Sequence, residues 1–196
     1  MSATPRAPLI VVAGPSGVGK TTVVNDVLAR AKFPLRRAIT ATSRAPRPGE
    51  RVNEDYHFWT AEQFQKAIAA GDMLEHAVVH GRDFYGTPLA EVEPHRQAGI
   101  GILLVIDVQG AASVRQKYPH DHVSVFVMAP SDQDLEARLR SRGSEDEAKI
   151  QRRLQTAREE VGRANEFDHQ LVNADRTEAT ETLEAIIRDQ FYLRGF

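Results

Sequence analysis

Residues Gly14-Pro15-Ser16-Gly17-Val18-Gly19-Lys20-Thr21 place a glycine-rich turn directly before a lysine and a hydroxyl. Glycines carry no Cβ, so backbone N–H groups can curl inward around phosphate oxygens. Lys20 then supplies a point charge for β- and γ-phosphates, and the Thr21 hydroxyl is a ligand for the Mg²⁺ that travels with them. Thr22 opens a helix over residues 22–30, whose N-terminus adds partial positive charge at the same spot. The apolar run Leu9–Ala13 reads as a buried strand leading into the turn. Strand, loop and helix stand in the order a phosphate-binding loop requires, so residues 14–22 are expected to hold a nucleoside triphosphate.

Other chemistry-bearing residues recur downstream. Thr42-Ser43-Arg44-Ala45-Pro46-Arg47-Pro48-Gly49-Glu50 sets two arginines three apart around a stiff proline. Guanidinium forks match phosphate oxygens, so this stretch is expected to bind phosphate rather than to be a solvated surface loop. Tyr56, Leu74-Glu75-His76, Phe84-Tyr85-Gly86-Thr87-Pro88 and Ile106-Asp107-Val108-Gln109-Gly110-Ala111 follow. Arg138 and Arg142 lie four apart on one helix face, with Arg152 and Arg153 on the next helix. His76 and His80, and His120 and His122 around Asp121, are spaced like metal ligands. Neither segment reads as a helix, so ordinary surface or strand histidines are expected.

Composition narrows the functional classes. With 196 residues and a net charge of −2, the chain can build one cored α/β domain, and no global field recruits nucleic acid or an anionic membrane. The absence of cysteine excludes disulfides, thiolate nucleophiles and Cys-based zinc sites, and suits a cytoplasmic protein. No apolar run approaches membrane-spanning length. Residues 1–8 lack the apolar core of a secretory signal, and 1–7 are expected to form a loose tail.

The elements that must position these residues follow from hydrophobic patterning. The β-branched runs at 9–13, 100–106 and 122–128 read as buried parallel strands of a doubly wound sheet. Residues 171–173 suggest a further short strand and 180–192 a closing helix. Residues 36–59 have a different texture, with 38–42 and 56–59 able to pair as strands, followed by a helix over Ala61–Ala70 stopped by Gly71. The expected organisation is one domain over 8–196. Its core spans 8–37, 93–131 and 163–196, with a mixed or antiparallel insertion at 38–92. Residues 132–162 form a charged helical pair broken by Arg142-Gly143-Ser144, which suits a mobile lid.

Taken in order, these motifs resemble the guanylate kinase family of nucleoside monophosphate kinases, over nearly the whole chain from Leu9 to the C-terminal helix. The resemblance implies ATP and GMP as substrates, ADP and GDP as products, and Mg²⁺ carried by the nucleotide. It implies that Arg44 and Arg47 grip the GMP phosphate and that Tyr56 and Tyr85 donate to it. Glu75 would accept from guanine N1–H and the 2-amino group, Thr40 and Thr87 would touch the base edge, and Asp107 would close on the 2-amino group. Arg138, Arg142 and Arg153 would be lid arginines around the transferring phosphoryl group, and Asn173 a contact of the adenine.

Phosphorylation of dGMP, a role in purine recycling and GTP supply, and a monomeric or homo-oligomeric state accompany the resemblance as expectations. The chain departs from the family pattern at two places. Val105 stands where an acidic residue is common, so Mg²⁺ would rely on Thr21 and the phosphates. The Gly81-to-Tyr85 spacing is one residue longer, which predicts a bulge. Two rival readings stand beside this one: a catalytically inert module of the same fold used for protein binding, and a kinase for another phosphorylated acceptor. The intact Lys20–Thr21 pair opposes the first, and Glu75 with Asp107 opposes the second.

Overall fold

The computed structural model describes residues 6–79, 82–141 and 147–196. Its centre is a five-stranded parallel sheet in the order β2-β7-β1-β8-β9, formed by Leu35–Arg37, Gly101–Val105, Leu9–Ala13, Val123–Met128 and His169–Val172. Every neighbouring pair in it is parallel. The continuous apolar runs have a simple cause: both faces of the sheet are covered, so successive side chains both need apolar partners. On β1, Ile10 and Val12 enter one core layer with Val23, Val24 and Val27 of α1 (Lys20–Arg30) and Leu183 and Ile187 of α7 (Arg176–Leu193). Leu9, Val11 and Ala13 enter the opposite layer with Ala111 and Val114 of α4 (Val108–Lys117).

The segment 38–92 forms a second, mixed sheet ordered β4-β3-β6-β5, with strands His57–Phe58, Ala41–Thr42, Asp83–Pro88 and Met73–Val79. The β3–β4 pair is parallel, while β3–β6 and β5–β6 are antiparallel. One face is covered by α2 (Ala61–Ala70), which starts at a Thr60–Gln63 capping box and stops at Gly71 with φ +75°. Phe64 of α2 stacks on Phe84 with ring centroids 5.3 Å apart.

The register of β5 on β6 shifts between Met73 and Glu75, so Leu74 is the extra residue of a bulge. That break lets three consecutive side chains be buried in different surroundings. Met73 joins the Phe64 cluster, Leu74 joins the main core, and Glu75 is 6% exposed. Beyond the bulge Glu75 pairs with Thr87 and Ala77 with Tyr85. The bulge expected over 81–85 does not show at 83–85, whose register on 77–79 is unbroken, and residue 81 lies outside the described residues.

Helix α3 (Glu93–Gln97) returns the chain to the central sheet, and Arg96 on it is fully buried. A buried guanidinium needs acceptors, which corrects one expectation about the N-terminus. Ala7, expected in a loose tail, is fully buried: its carbonyl accepts from Arg96 Nε at 2.8 Å and its N–H donates to the Arg96 carbonyl at 3.0 Å. Asp121 then joins Arg96 to Arg194 through contacts of 2.7 and 2.5 Å, which accounts for this aspartate between its two histidines. The charged pair α5 (Asp132–Arg140) and α6 (Glu147–Val161) completes the fold. No helix among the described residues is long and apolar enough to cross a membrane.

Candidate active site

The loop between β1 and α1 is built from local constraints. Gly14 has φ +135°, and a Cβ there would stand 2.1 Å from the Val127 carbonyl oxygen of the neighbouring strand. Gly19 is the N-cap of α1 in the left-handed region and offers no side-chain cap, so the first N–H groups of the helix remain for a ligand. Lys20 folds back over the loop, donating from Nζ to the carbonyls of Gly14 at 2.6 Å and Pro15 at 2.8 Å. From α6, Arg153 Nη2 donates to the Ser16 hydroxyl at 2.6 Å, which brings the expected lid onto the loop.

A cavity of about 360 Å³ opens between the two sheets. Gly14, Ser16, Lys20 and Thr21 line one end; Thr40, Tyr56 and Tyr85 line the other; and Glu75 and Asp107 lie within it. Seven residues singled out from the sequence at scattered positions therefore share one enclosure with the loop glycine and serine. Thr22 lines a second cavity, of about 320 Å³, on the far side of the loop with Gly17, Gly19, Arg138 and Asn173.

Beside Tyr56 and Tyr85, Arg44 is the hub of a contact network, although it is not itself among the residues lining the cavity. Its Nε donates to the Tyr85 hydroxyl at 2.9 Å, and its terminal nitrogens form a two-pronged pair with Glu50, each at 2.7 Å. Its guanidinium carbon also lies 5.0 Å from the Tyr56 ring centroid. The charge of Arg44 is thus locked in, and its hydrogen bond to Glu50 is the largest cause of a pKa above the ordinary arginine value. Arg47 is exposed, on the same loop, and does not line the cavity.

Glu75 carries the sharpest electrostatic signature. Burial pushes its carboxyl up to about 7, against the hydrogen bond from Thr87, with the charge of Asp107 adding to the rise. The Thr87 hydroxyl donates to Glu75 Oε1 at 2.7 Å. Asp107 caps α4, accepting from the Gly110 N–H at 2.8 Å. A Cβ on Gly110 would stand 2.9 Å from Glu75 Oε2, so a glycine there makes room for the carboxylate.

Beside the second cavity, Asn173 Nδ2 donates to the Val18 carbonyl at 2.7 Å, and its own backbone carbonyl accepts from Arg138 Nη2 at 2.8 Å. Arg138 Nη1 reaches the same Val18 carbonyl at 3.3 Å. A Cβ on Gly19 would sit 2.5 Å from Asn173 Nδ2. Both side chains therefore engage the outer turn of the phosphate loop. Arg142 lies outside the described residues.

Three residues with a place in this geometry were not singled out from the sequence. Glu50 pairs with Arg44; Arg176 lines the second cavity. Glu160 on α6 lines the main cavity, where burial raises its pKa against the attraction of Lys20. Glu160 follows Arg153 by two helical turns, a spacing that puts both on one face, and that was the available signal. Thr21, Asp107 and Glu160 supply oxygen ligands of the type a hard divalent cation takes, while Val105 adds an apolar wall. Among the described residues no three His, Cys, Asp or Glu side chains cluster as a metal cage.

Comparisons with known proteins bear on the family. A family profile described as guanylate kinase matches residues 6–190. A curated guanylate kinase of Xanthomonas oryzae pv. oryzae is 50% identical over 182 residues, covering 92% of this chain and 88% of its own. One from Rubrobacter xylanophilus is 45% identical over 183 residues, covering 93% and 94%. The crystal structure of guanylate kinase from Anaplasma phagocytophilum superposes with a TM-score of 0.76 at 29% identity, covering 97% of this chain and 88% of that one.

Proposed function

The chain belongs to the guanylate kinase family, and from that premise we propose that it transfers the γ-phosphoryl group of ATP to GMP, and also to dGMP, supplying GDP for purine recycling and GTP synthesis. The observation that carries the reading is the buried Glu75 carboxyl, which lines the same cavity as Lys20 and Thr21 and is held from behind by the Thr87 hydroxyl. Guanine presents N1–H and a 2-amino group, both donors, to a carboxylate that lacks solvent. Adenine would leave that acceptor buried and unpaired, a mismatch that discriminates by roughly 10⁴- to 10⁵-fold in sites of this kind.

In this reading the loop from Gly14 to Thr22 and Lys20 hold the donor phosphates. Arg44, Arg47, Tyr56 and Tyr85 hold the acceptor phosphate. Glu75, Thr40, Thr87 and Asp107 hold the base. A GMP phosphate oxygen is already anionic, so no covalent intermediate and no strong base is needed. The protein's work is to place the two phosphates in line and to spread charge over the moving group. Arg153 on α6 reaches that region, and Arg138 reaches the rim of the loop. The helical pair excludes the water that would otherwise accept the phosphoryl group. Magnesium arriving with ATP would neutralise phosphate charge, with Thr21 as its protein ligand.

The test is an ADP-release assay with GMP, dGMP, AMP, CMP and UMP as acceptors. GMP and dGMP should support turnover and the others should not. Comparable rates with AMP, or no acceptor-dependent ADP release, would refute the proposal.

A further inference from the structure

Glu50 has no part in the roles assigned so far, yet it collects three donors. Oε1 accepts from Arg44 Nη2, and Oε2 accepts from both Arg44 Nη1 and the Arg47 backbone N–H, all at 2.7 Å. The carboxylate therefore takes the blunt end of the guanidinium. The second Nη1 hydrogen goes to the Ala45 carbonyl at 3.0 Å, and Nε goes to the Tyr85 hydroxyl at 2.9 Å. An arginine has five N–H donors, so these contacts commit four. The fifth belongs to Nη2 and lies on the same edge as Nε, beside the Tyr85 hydroxyl. That hydroxyl accepts from Arg44, so its own proton remains to be donated, and Tyr85 lines the cavity. The pair is substantially shielded, with side-chain exposures of 10% for Arg44 and 20% for Glu50.

We propose that Glu50 is the positioning residue of the acceptor-phosphate site. It fixes the plane of Arg44 and the backbone of Arg47, so that the Arg44 side edge and the Tyr85 hydroxyl present adjacent donors to a phosphate monoester. The inference rests on the reading of GMP as acceptor. Held this way, the guanidinium does not lose its side-chain freedom anew when phosphate binds. The opposite arrangement, in which Glu50 merely occupies the phosphate's place and is expelled by it, predicts the opposite sign for loss of its charge.

Calorimetric titration of the whole protein with GMP and with guanosine separates the two. Glu50→Gln should weaken GMP binding about 10- to 100-fold, the scale of hydrogen bonds to charged groups, while guanosine binding stays within twofold. Glu50→Asp, which keeps the charge, should recover part of the GMP affinity. Unchanged or tighter GMP binding by Glu50→Gln would overturn the proposal. So would an equal loss of guanosine, which would make Glu50 a brace for the insertion as a whole. Should the wild-type protein fail to bind GMP more tightly than guanosine, the acceptor reading itself falls.

Discussion

The Thr87 hydroxyl donates to Glu75 Oε1 at 2.7 Å, so the two residues form one rigid, buried acceptor unit. Thr87 spends its proton on the carboxylate and, fully buried, does not itself line the cavity. Cross-strand pairing on β5 and β6, immediately after the bulge at Leu74, holds the two side chains on one face.

Base recognition should depend on pH through Glu75. Its carboxyl titrates near 7 because burial disfavours the charge. Guanine's donors need the ionised form, so affinity falls as pH drops below that value. Guanosine binding should weaken about tenfold between pH 8 and pH 6, and Glu75→Gln should flatten the profile. Guanosine is the right probe because a phosphate monoester titrates near pH 6 itself. The same raised pKa means that the folded protein retains a proton the unfolded chain has released between about pH 4.5 and 7. Glu75 therefore subtracts stability as pH rises through that window, which chemical denaturation of wild type and Glu75→Gln would register.

Gly110→Ala should separate stability from binding. Alanine favours a helix by up to about 1 kcal/mol over glycine, so α4 gains. Its Cβ would meet Glu75 Oε2 at 2.9 Å and push the carboxylate aside. The expected result is an unchanged or higher melting temperature with a higher KM for GMP and an unchanged KM for ATP. An unchanged GMP KM would show that Glu75 moves without consequence.

Arg44 and Arg47 should differ in degree. Arg44 makes four side-chain hydrogen bonds to three partners, whereas Arg47 is exposed on the loop. Arg44→Ala should raise the GMP KM about a hundredfold and Arg47→Ala about tenfold, each with little effect on the ATP KM. Steady-state kinetics showing an unchanged GMP KM in both would remove the phosphate assignment.

Asn173 should act through the loop. Its amide holds the Val18 carbonyl, so Asn173→Ala leaves that carbonyl short of a donor. ATP and GTP as phosphoryl donors should then lose affinity together, by about tenfold. A loss confined to ATP would show that Asn173 reads the adenine directly.

Legibility in the sequence followed the range of the interactions involved. The β1–loop–α1 unit was readable because its signals are contiguous, and α2 was readable because Gly71 stops it. The stretches 38–42 and 56–59, expected to pair as strands, do so through β3 and β4, but only over two residues each, because their ends are set by neighbours across the sheet. At β9 the pattern begins two residues before Leu171, where exposed His169 and Gln170 carry no apolar signal. Glu50 lay inside a quoted motif, yet its pairing depends on the fold of the Arg44 loop, not on spacing. Glu160 and Arg176 sit on charged helices whose buried sides are set only when α6 and α7 dock. The enclosure shared by Thr40, Tyr56, Glu75, Tyr85 and Asp107 follows from the second sheet leaning over the first, a relation that sequence separation conceals.

The most direct measurement is the ratio of kcat/KM for GMP to that for AMP, in wild type and in Glu75→Gln. The wild-type ratio should be of the order of 10⁴ and should fall at least a hundredfold in the variant, through loss of GMP turnover with the ATP KM preserved. A ratio that survives the substitution would mean that the buried carboxylate does not read the base.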